Sequence, residues 1–426
     1  MEFLSAIEQM IRMPVTDPQI GFLSPGATYR RDIPSSRKDS ETRSYYVLEP
    51  CDDGFRLSTS YFIGLDWVTP DVAIHVAPKL NSAHGTIDYL KMLVDALTEP
   101  DNARHLDGLI NIDFNARQIK LEQKEDILSP FIVAQFVLVL KNAIRKGLRK
   151  SYYLVQENLK SKVKGKILIN QNIQKNLTKG NITDNICQYQ EYGLDNPENR
   201  VLKAAIELSS RILSTYQGGM DLKELKRAIA TMKPYFKDVS DEYSLANVQS
   251  SGKNPIFKEY YQSLEYAVLI IRRASYGIDL SHGKFQATPP YWIDMSKLFE
   301  LYVFKKLKEA YPDGFLKYHE HIFYRELDYL LRPAEGEPMV IDAKYKPAYH
   351  YSIPSIDDIR QVSGYSRMAQ VYEKLHLDDT SRLIRCLIVY ANQDCPDSLD
   401  PTANVPQALK EYVNFYKVGI RLPERT

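Results

Sequence analysis

The sequence contains few cysteines and no long apolar run. Its four cysteines are scattered among 426 residues without C-x-x-C spacing, so the pattern does not indicate a zinc or iron–sulfur site. No segment reaches the roughly eighteen apolar residues of a membrane-spanning helix, and no basic and then apolar stretch opens the chain. We therefore expect a cytoplasmic protein with reduced thiols that is neither exported nor inserted in a membrane.

The chain also lacks a marked net charge. Its 55 lysines and arginines nearly balance 54 acids, which by itself says nothing about nucleic acid. The distribution is more informative, because residues 141–179 carry many basic side chains and a single acid, Glu157. The alternative to a binding role is a solvated face whose acidic partners lie elsewhere in space. We predict that four of these lysines contact the phosphate backbone of DNA: Lys160, Lys162, Lys164 and Lys166.

The length of the chain and the changing pattern of apolar and polar residues along it predict an α/β protein of several domains. Residues 1–120 contain short alternating apolar runs broken by glycine and proline, which predicts a β-rich N-terminal domain. Residues 121–285 form a basic middle region, which we expect to be helical from about 127 to 159, with a strand and turn at 163–173. Residues 286–426 follow the order helix, strand, strand, helix, strand, which is typical of a compact mixed α/β domain.

Two acids stand on consecutive predicted strands of this last segment. Asp328 lies in the strand at 323–331 and Asp342 in the strand at 338–346, with a short turn between them. Their carboxylates can meet at one end of the sheet, where they repel each other unless a cation lies between them. Oxygen ligands suit Mg²⁺, with Mn²⁺ as the alternative, and the backbone carbonyl of Ala343 can join the set.

Three further side chains can serve the same site. Lys344 lies two residues after Asp342 and so shares its strand face, where an ammonium group can orient or deprotonate a water and stabilise charge on phosphorus. Gln361 and Tyr365 are one turn apart on the next helix. The capping-box spacing of Ser355 and Asp358 predicts where that helix begins.

Glu300 belongs to the predicted helix at 294–310. Its neighbours on the helix face are apolar, so its carboxylate needs a partner, such as Lys344 or a water held at the metal. Elsewhere, His319 and His321 share a strand face, but no third zinc ligand stands at a suitable spacing. The glycines near 277–283 do not have phosphate-loop spacing either, so we do not expect this chain to hydrolyse a nucleotide.

The ordered set of an acid on a helix, two acids on a hairpin, a lysine and a glutamine resembles the core of PD-(D/E)xK nucleases. The resemblance implies a restriction-endonuclease-like domain at 286–426 that hydrolyses DNA with a metal ion. Leu327 stands where this family often has proline, so Glu326, on the same strand face, remains an alternative to Asp328 as first metal ligand. The non-catalytic alternative is a salt bridge between Asp342 and Lys344 at the sheet end.

Beyond residue 65, a series of short motifs resembles the McrC family, the nuclease subunits of McrBC-type modification-dependent restriction systems. The motifs include VAIHVAPKL, which resembles the family's strand ending in Pro-Lys, here Pro78–Lys79, and the basic stretch GLRKSYYLVQENLKSKVKGKILI. DMSKLFELYV, VIDAKYK and QVSGY follow in the family's order. The family's Asp-x-x-x-Asn-Arg-x-Leu-Lys signature is carried by Asp195, Asn199, Arg200, Leu202 and Lys203.

The resemblance implies a subunit that cuts modified double-stranded DNA together with an McrB-like AAA+ GTPase ring. GTP binds the ring only, the ring senses 5-methylcytosine, and the N-terminal half of the McrC-like subunit enters the ring and stimulates hydrolysis. The polar segment at 37–43 is a candidate tip for that contact. Two alternatives stay open, an autonomous DNA nuclease and a non-cleaving activator of an AAA+ ring.

Overall fold

In the computed structural model the described residues are 2–7, 13–15, 23–24, 26–33, 43–52, 54–80, 85–97, 99, 102, 105, 108–113, 116–122, 128–215, 222–248, 255–279, 285–322 and 325–424. Of the candidate tip at 37–43, all but Arg43 lies outside the described residues. No helix among the residues described is long and apolar enough to cross a lipid bilayer.

Strands occur in every part of the described chain, including the segment expected to be helical. They are β1 (Glu2–Ile7), β2 (Met13–Val15), β3 (Tyr29–Asp32), β4 (Ser44–Cys51), β5 (Gly54–Thr59), β6 (Phe62–Trp67), β7 (Val72–Ala77), β8 (Ile110–Ile112), β9 (Ile119–Glu122), β10 (Ser151–Lys160), β11 (Lys166–Ile167), β12 (Asp184–Gly193), β13 (Phe285–Thr288), β14 (Tyr291–Asp294), β15 (Phe315–Ile322), β16 (Arg325–Arg332), β17 (Met339–Lys344), β18 (Arg385–Ala391), β19 (Gln407–Ala408) and β20 (Phe415–Ile420).

The α-helices are α1 (Tyr89–Leu97), α2 (Leu128–Lys146), α3 (Ile169–Lys175), α4 (Pro197–Thr215), α5 (Lys223–Met232), α6 (Lys258–Asp279), α7 (Met295–Ala310), α8 (Ile356–Tyr365) and α9 (Ala369–Lys374). Short 3₁₀ helices cover Leu177–Lys179, Lys233–Phe236, Leu245–Asn247, Pro255–Phe257 and Pro347–His350.

The chain divides into two compact units, and the first is discontinuous in sequence. It contains Met1–Glu125, Gln217–Asp221 and Ala287–Thr426, whereas the second contains Asp126–Tyr216 and Leu222–Gln286. The predicted boundaries at 120 and 285 lie close to the borders between units. The β-rich first segment and the mixed α/β last segment, however, share a single unit.

A strand from the last segment completes a sheet of the first one. The order of this sheet is β1-β7-β6-β14-β8. β14 therefore lies between β6 and β8, two strands that come much earlier in the sequence. Gly64 of β6 allows this pairing, because a Cβ there would overlap the carbonyl oxygen of Tyr291. Trp292 of β14 then stacks on Tyr45 with ring centroids 4.7 Å apart, and its Nε1 donates to Asp66 Oδ2 at 3.0 Å. A four-stranded sheet, β2-β5-β4-β3, contributes to the same apolar core.

This inserted strand leads directly into the helix that carries Glu300. Asp294, the last residue of β14, caps α7 by accepting a hydrogen bond from Lys297 N at 3.0 Å. The carbonyl of Tyr61 accepts from Met295 N at 3.1 Å. Because both contacts fix the first turn of α7, the N-terminal sheet determines where that helix begins.

The last segment forms a six-stranded sheet of order β15-β16-β17-β18-β20-β19. The first three strands are antiparallel, and β17, β18 and β20 are parallel. Helices α8 and α9 lie in the crossover between β17 and β18 and pack on a core that includes Val340, Val362 and Ile388. The order expected for this segment is present as α7, β16, β17, α8 with α9, and β18, and β15 is the strand on which His319 and His321 were expected to lie. The edge strand β19 was not expected.

The second unit is helical in part. Helix α2, buried along 131–140, packs against α5 and α6. The expectation that the helix continues to 159 is wrong, because α2 ends at Lys146 and is followed by Gly147, whose φ of +98° suits the position after a helix C-terminus. Residues Ser151–Lys160 instead form β10 of an antiparallel sheet of order β10-β12-β11. The strand expected within 163–173 is reduced to β11, and α3 follows it.

Candidate active site

Asp328 and Asp342 lie side by side on two central strands of the six-stranded sheet. β16 and β17 pair with Tyr329 opposite Ile341, so the next position of this register brings Asp328 opposite Asp342 on one face. Asp328 Oδ2 also accepts a hydrogen bond from Ala343 N at 2.8 Å. The structure therefore brings together the two acids that were expected to meet.

The Asp342 carboxylate is almost completely buried, with 1 % of the residue exposed. Among the described residues, no donor reaches either of its oxygens with hydrogen-bond geometry. Lys344 Nζ lies 2.8 Å from Oδ2 and forms an ion pair with it. The angles at this contact are not those of a hydrogen bond. A buried carboxylate with so little hydrogen bonding is costly, so its surroundings favour a further cation.

The pKa values of both acids are raised, chiefly by burial and further by neighbouring negative charge. Burial raises the pKa of Asp342 to about 6, although Lys344 opposes the shift. Burial, followed by repulsion from Asp342 and Glu300, raises the pKa of Asp328 well above its usual range. One lysine therefore does not compensate the carboxylates of this site.

Lys344 is held between the strand and the following helix. Besides its ion pair with Asp342, its Nζ donates to Gln361 Oε1 at 3.2 Å. Gln361 Nε2 in turn donates to the hydroxyl of Tyr365 at 3.0 Å, so the structure joins both predicted helix residues to the lysine. Burial alone would lower the pKa of Lys344, but Asp342 and Asp328 raise it above its ordinary value. Lys344 is consequently protonated at neutral pH.

Helix α8 begins where the sequence predicts, and Asp358 of its first turn also contacts lysines of the site. Ser355 accepts from Asp358 N at 3.3 Å. The Asp358 carboxylate accepts from Lys346 Nζ at 2.7 Å and from the Tyr349 hydroxyl, and its Oδ1 lies 3.9 Å from Lys344 Nζ. Reasoning from the sequence assigned Asp358 only to capping and missed this second acid–lysine pair, because the turn after β17 creates it.

The carboxylate of Glu300 finds its partners on β15. The sequence offered Lys344 as one of two expected partners, but the observed contacts are made by other residues. Glu300 Oε2 lies 3.0 Å from His319 Nε2 and 3.5 Å from the Tyr318 hydroxyl. His319 Nδ1 lies 2.6 Å from Glu326 Oε1, so one imidazole bridges two acids. Burial would lower the pKa of His319, but Glu300 and Glu326 raise it. The backbone φ of +53° at His319 is uncommon for a residue with a side chain.

These contacts bear on which residues could hold a metal. Both ring nitrogens of His319 are directed at carboxylates, and Glu326 is engaged with that ring, whereas Asp328 stands next to Asp342. Within the described ranges, no three His, Cys, Asp or Glu side chains are grouped to hold a metal ion. Asp328 and Asp342 supply two carboxylates, which fits Mg²⁺, an ion that keeps several waters. The carbonyl of Ala343 stays a predicted ligand.

The four lysines predicted to contact DNA are all exposed in the second unit. Lys164 Nζ lies 2.8 Å from Glu191 Oε1 and 3.8 Å from the ring centroid of Tyr189. The other three have no ion-pair partner among the residues described. Three of the four are thus available to phosphate, and Lys164 is already neutralised in part.

The Asp-x-x-x-Asn-Arg signature forms part of the scaffold of the second unit. Asp195 pairs with Arg200 through two contacts of 2.8 and 2.7 Å and also accepts from Ser240 N at 2.8 Å. Asn199 is fully buried and accepts from the Tyr260 hydroxyl at 2.8 Å. These contacts hold the first turn of α4 to neighbouring elements.

A family of known proteins matches most of the chain. Residues 58–377 match the family described as McrBC 5-methylcytosine restriction system component. No curated protein matches the chain at a significant level.

Two solved structures of Thermococcus gammatolerans complexes contain chains similar to this one. The first is a refined half-complex from a tetradecameric assembly of McrB AAA+ hexamers with bound McrC; its chain is 16% identical with a TM-score of 0.37, covering 88% of this chain and 80% of that chain. The second is the cryo-EM structure of the McrBC complex, with 13% identity, a TM-score of 0.28, and coverage of 72% of this chain and 88% of that chain.

The raised pKa of Asp342 predicts a characteristic pH dependence of stability. An unfolded aspartate has a pKa of about 3.9, whereas Asp342 in the folded chain has a pKa of about 6. Between these values the folded chain keeps a proton that the unfolded chain has lost, so this contribution to stability falls as pH rises, by at most about 1.4 kcal/mol per pH unit. In denaturant unfolding with EDTA, the stability of the unmodified chain should therefore fall relative to that of Asp342→Asn as the pH rises from about 4 to 6. Parallel profiles would contradict the assignment.

Proposed function

Because this chain belongs to the McrBC family of 5-methylcytosine restriction system components, we propose that it is the McrC-like nuclease subunit. It hydrolyses modified double-stranded DNA in the cytoplasm, using a PD-(D/E)xK core in its last segment. The observation that carries the proposal is the pair of Asp328 and Asp342 on one face of the sheet, beside Lys344. A structural salt bridge between Asp342 and Lys344 accounts poorly for this pair, since one lysine faces several acids.

The donor atoms of this site fit a divalent cation. Asp328, Asp342 and the backbone carbonyl of Ala343 would hold Mg²⁺, or Mn²⁺ in its place. Support comes from the buried oxygens of Asp342, which lack hydrogen bonds from the described residues. When bound, the ion neutralises the two acids and polarises the phosphodiester that is cut.

Lys344 acts as a charged donor. Its raised pKa keeps it protonated, which supports orienting a water and stabilising charge on the phosphate over removing a proton from that water. Gln361, backed by Tyr365, fixes the direction of the ammonium group. Glu300 adds negative charge that both acids experience and so strengthens cation binding.

The partner in this proposal is an McrB-like AAA+ GTPase, which alone binds GTP. The first segment of the chain docks on the GTPase ring and stimulates its hydrolysis. That segment shares one compact unit with Asp328 and Asp342, so docking is mechanically connected to the nuclease site. Cleavage by the isolated chain is accordingly weak.

The test is cleavage of methylated plasmid with Mg²⁺, with and without the cognate AAA+ protein and GTP. The unmodified chain should cut only with its partner and GTP. Asp342→Asn and Lys344→Ala should reduce that rate by about 100-fold to 1,000-fold, because each removes a charge that acts on the reacting phosphate. GTP turnover by the partner should be stimulated equally by all three chains.

Asp357→Asn is the matched control, since it makes the same change on α8 at a side chain that is 94% exposed. It should cut at the unmodified rate. Full cleavage by Asp342→Asn would refute the proposed site. Equal cleavage with and without partner would favour an autonomous nuclease, and stimulated GTP turnover with no cleavage would favour a non-cleaving activator.

The exposed lysines of the second unit generate a separate prediction about DNA binding. Changing Lys160, Lys162 and Lys166 together to glutamine should weaken binding to any DNA sequence. For every phosphate that a lysine no longer neutralises, the slope of log affinity against log salt should become shallower by about 0.9. Lys164→Gln should change the slope less, because Glu191 already pairs with Lys164. An unchanged slope in the triple variant would mean that these lysines only face solvent.

A further inference from the structure

The Pro-Lys motif that follows β7 contacts the residue that follows β17, the strand of Asp342 and Lys344. Lys79 lies two residues beyond β7, and its Nζ donates a hydrogen bond to the backbone carbonyl of Tyr345. The same ammonium lies 4.0 Å from the ring centroid of Tyr345 and 5.8 Å from that of Tyr61. A lysine of the N-terminal sheet thus contacts both the main chain and the ring of one residue, 266 positions away in sequence.

Tyr345 occupies a critical place in the candidate active site. It separates Lys344 from Lys346, and the amide of Lys346 donates to the carbonyl of Lys344 at 2.6 Å, so the chain turns tightly around Tyr345. Its ring is buried and lies 5.8 Å from the ring of Phe299 on α7. On either side of it, the two lysines extend to the acids, with contacts of 2.8 Å to Asp342 and 2.7 Å to Asp358.

From these contacts we infer that Lys79 is a positioning residue of the nuclease site, acting through Tyr345 on the ammonium group of Lys344. The inference rests on the proposed nuclease function and adds to it that the N-terminal sheet completes the active site. A charged donor on the carbonyl of Tyr345 gives a strong, directional hydrogen bond, and its contact with the ring adds a cation–π interaction. Together they fix the turn from which both lysines project.

The position of β7 explains how this contact can respond to docking. β7 pairs with β1 and β6 in the N-terminal sheet, and β6 also pairs with β14, which leads into α7. A shift of this sheet would move Lys79 and the start of α7 together. Since a misplacement of about 1 Å at a catalytic group costs about 100-fold in rate, the sheet could tune cleavage without contacting DNA.

Lys79→Met tests the inference, because methionine keeps the apolar stem and removes the charge and the donor. In the full chain with partner, GTP and Mg²⁺, single-turnover cleavage at saturating protein should fall about tenfold to 100-fold. DNA affinity and stimulation of GTP turnover should stay at their unmodified values, and Tm should fall by only a few degrees. Lys79→Arg, which restores a charged donor, should recover most of the rate. Lys91→Met, an exposed lysine on α1, is the matched control and should cut normally.

A second readout does not depend on cleavage. The rate at which an amine-acylating reagent labels Lys344, followed by mass spectrometry, should rise severalfold in Lys79→Met, because the amine of a loosened side chain reaches the reagent more readily. Unmodified cleavage and labelling in Lys79→Met would overturn the inference. So would a parallel loss of Tm, DNA affinity and cleavage, which is the behaviour of a merely structural contact. If Asp342→Asn cuts normally in the same assay, the proposed function fails instead, and the labelling of Lys344 still decides the role of Lys79.

Discussion

Repulsion between two carboxylates on neighbouring strands is the constraint on which this site depends. Asp328 and Asp342 lie one position beyond the pairing of Tyr329 with Ile341, and both have pKa values raised by burial. Two nearby acids, Glu300 and Glu326, share the bridging ring of His319. The central pair has only Lys344. The remaining charge imbalance is the physical reason to expect a cation at this place and to regard the site as more than a structural salt bridge.

The unusual chain path of the first unit serves the same site. Because β14 is inserted in the N-terminal sheet before α7 begins, the helix bearing Glu300 is anchored in residues far away in sequence. Lys79 adds a second anchor at the end of β17. The β-rich segment is therefore part of the architecture of the candidate active site as well as a candidate docking surface. In the proposed function, this arrangement connects a docking event mechanically to the proposed catalytic side chains.

Local patterns in the sequence predicted much of this site. The spacing of Asp342 and Lys344 on a strand, and that of Gln361 and Tyr365 on a helix capped by Ser355, each follow from repeats of two or about four residues. The role of His319 could not be predicted in this way, because it depends on which strand lies beside α7. The strand at Ser151–Lys160 was missed although Gly147 offered a local stop signal. Contacts between distant segments, such as β14 with β6, leave no mark in local periodicity.

Direct binding of Mn²⁺ is the measurement closest to the central claim. Calorimetric titration of the full chain at about pH 8, where both acids are expected to be ionised in the presence of the metal, should detect a site that Asp342→Asn abolishes. Lys344→Ala should bind Mn²⁺ at least as tightly as the unmodified chain, since it removes a competing positive charge from the same carboxylates. Equal binding by the Asp342→Asn chain, or no binding by the unmodified chain, would contradict this account of the site.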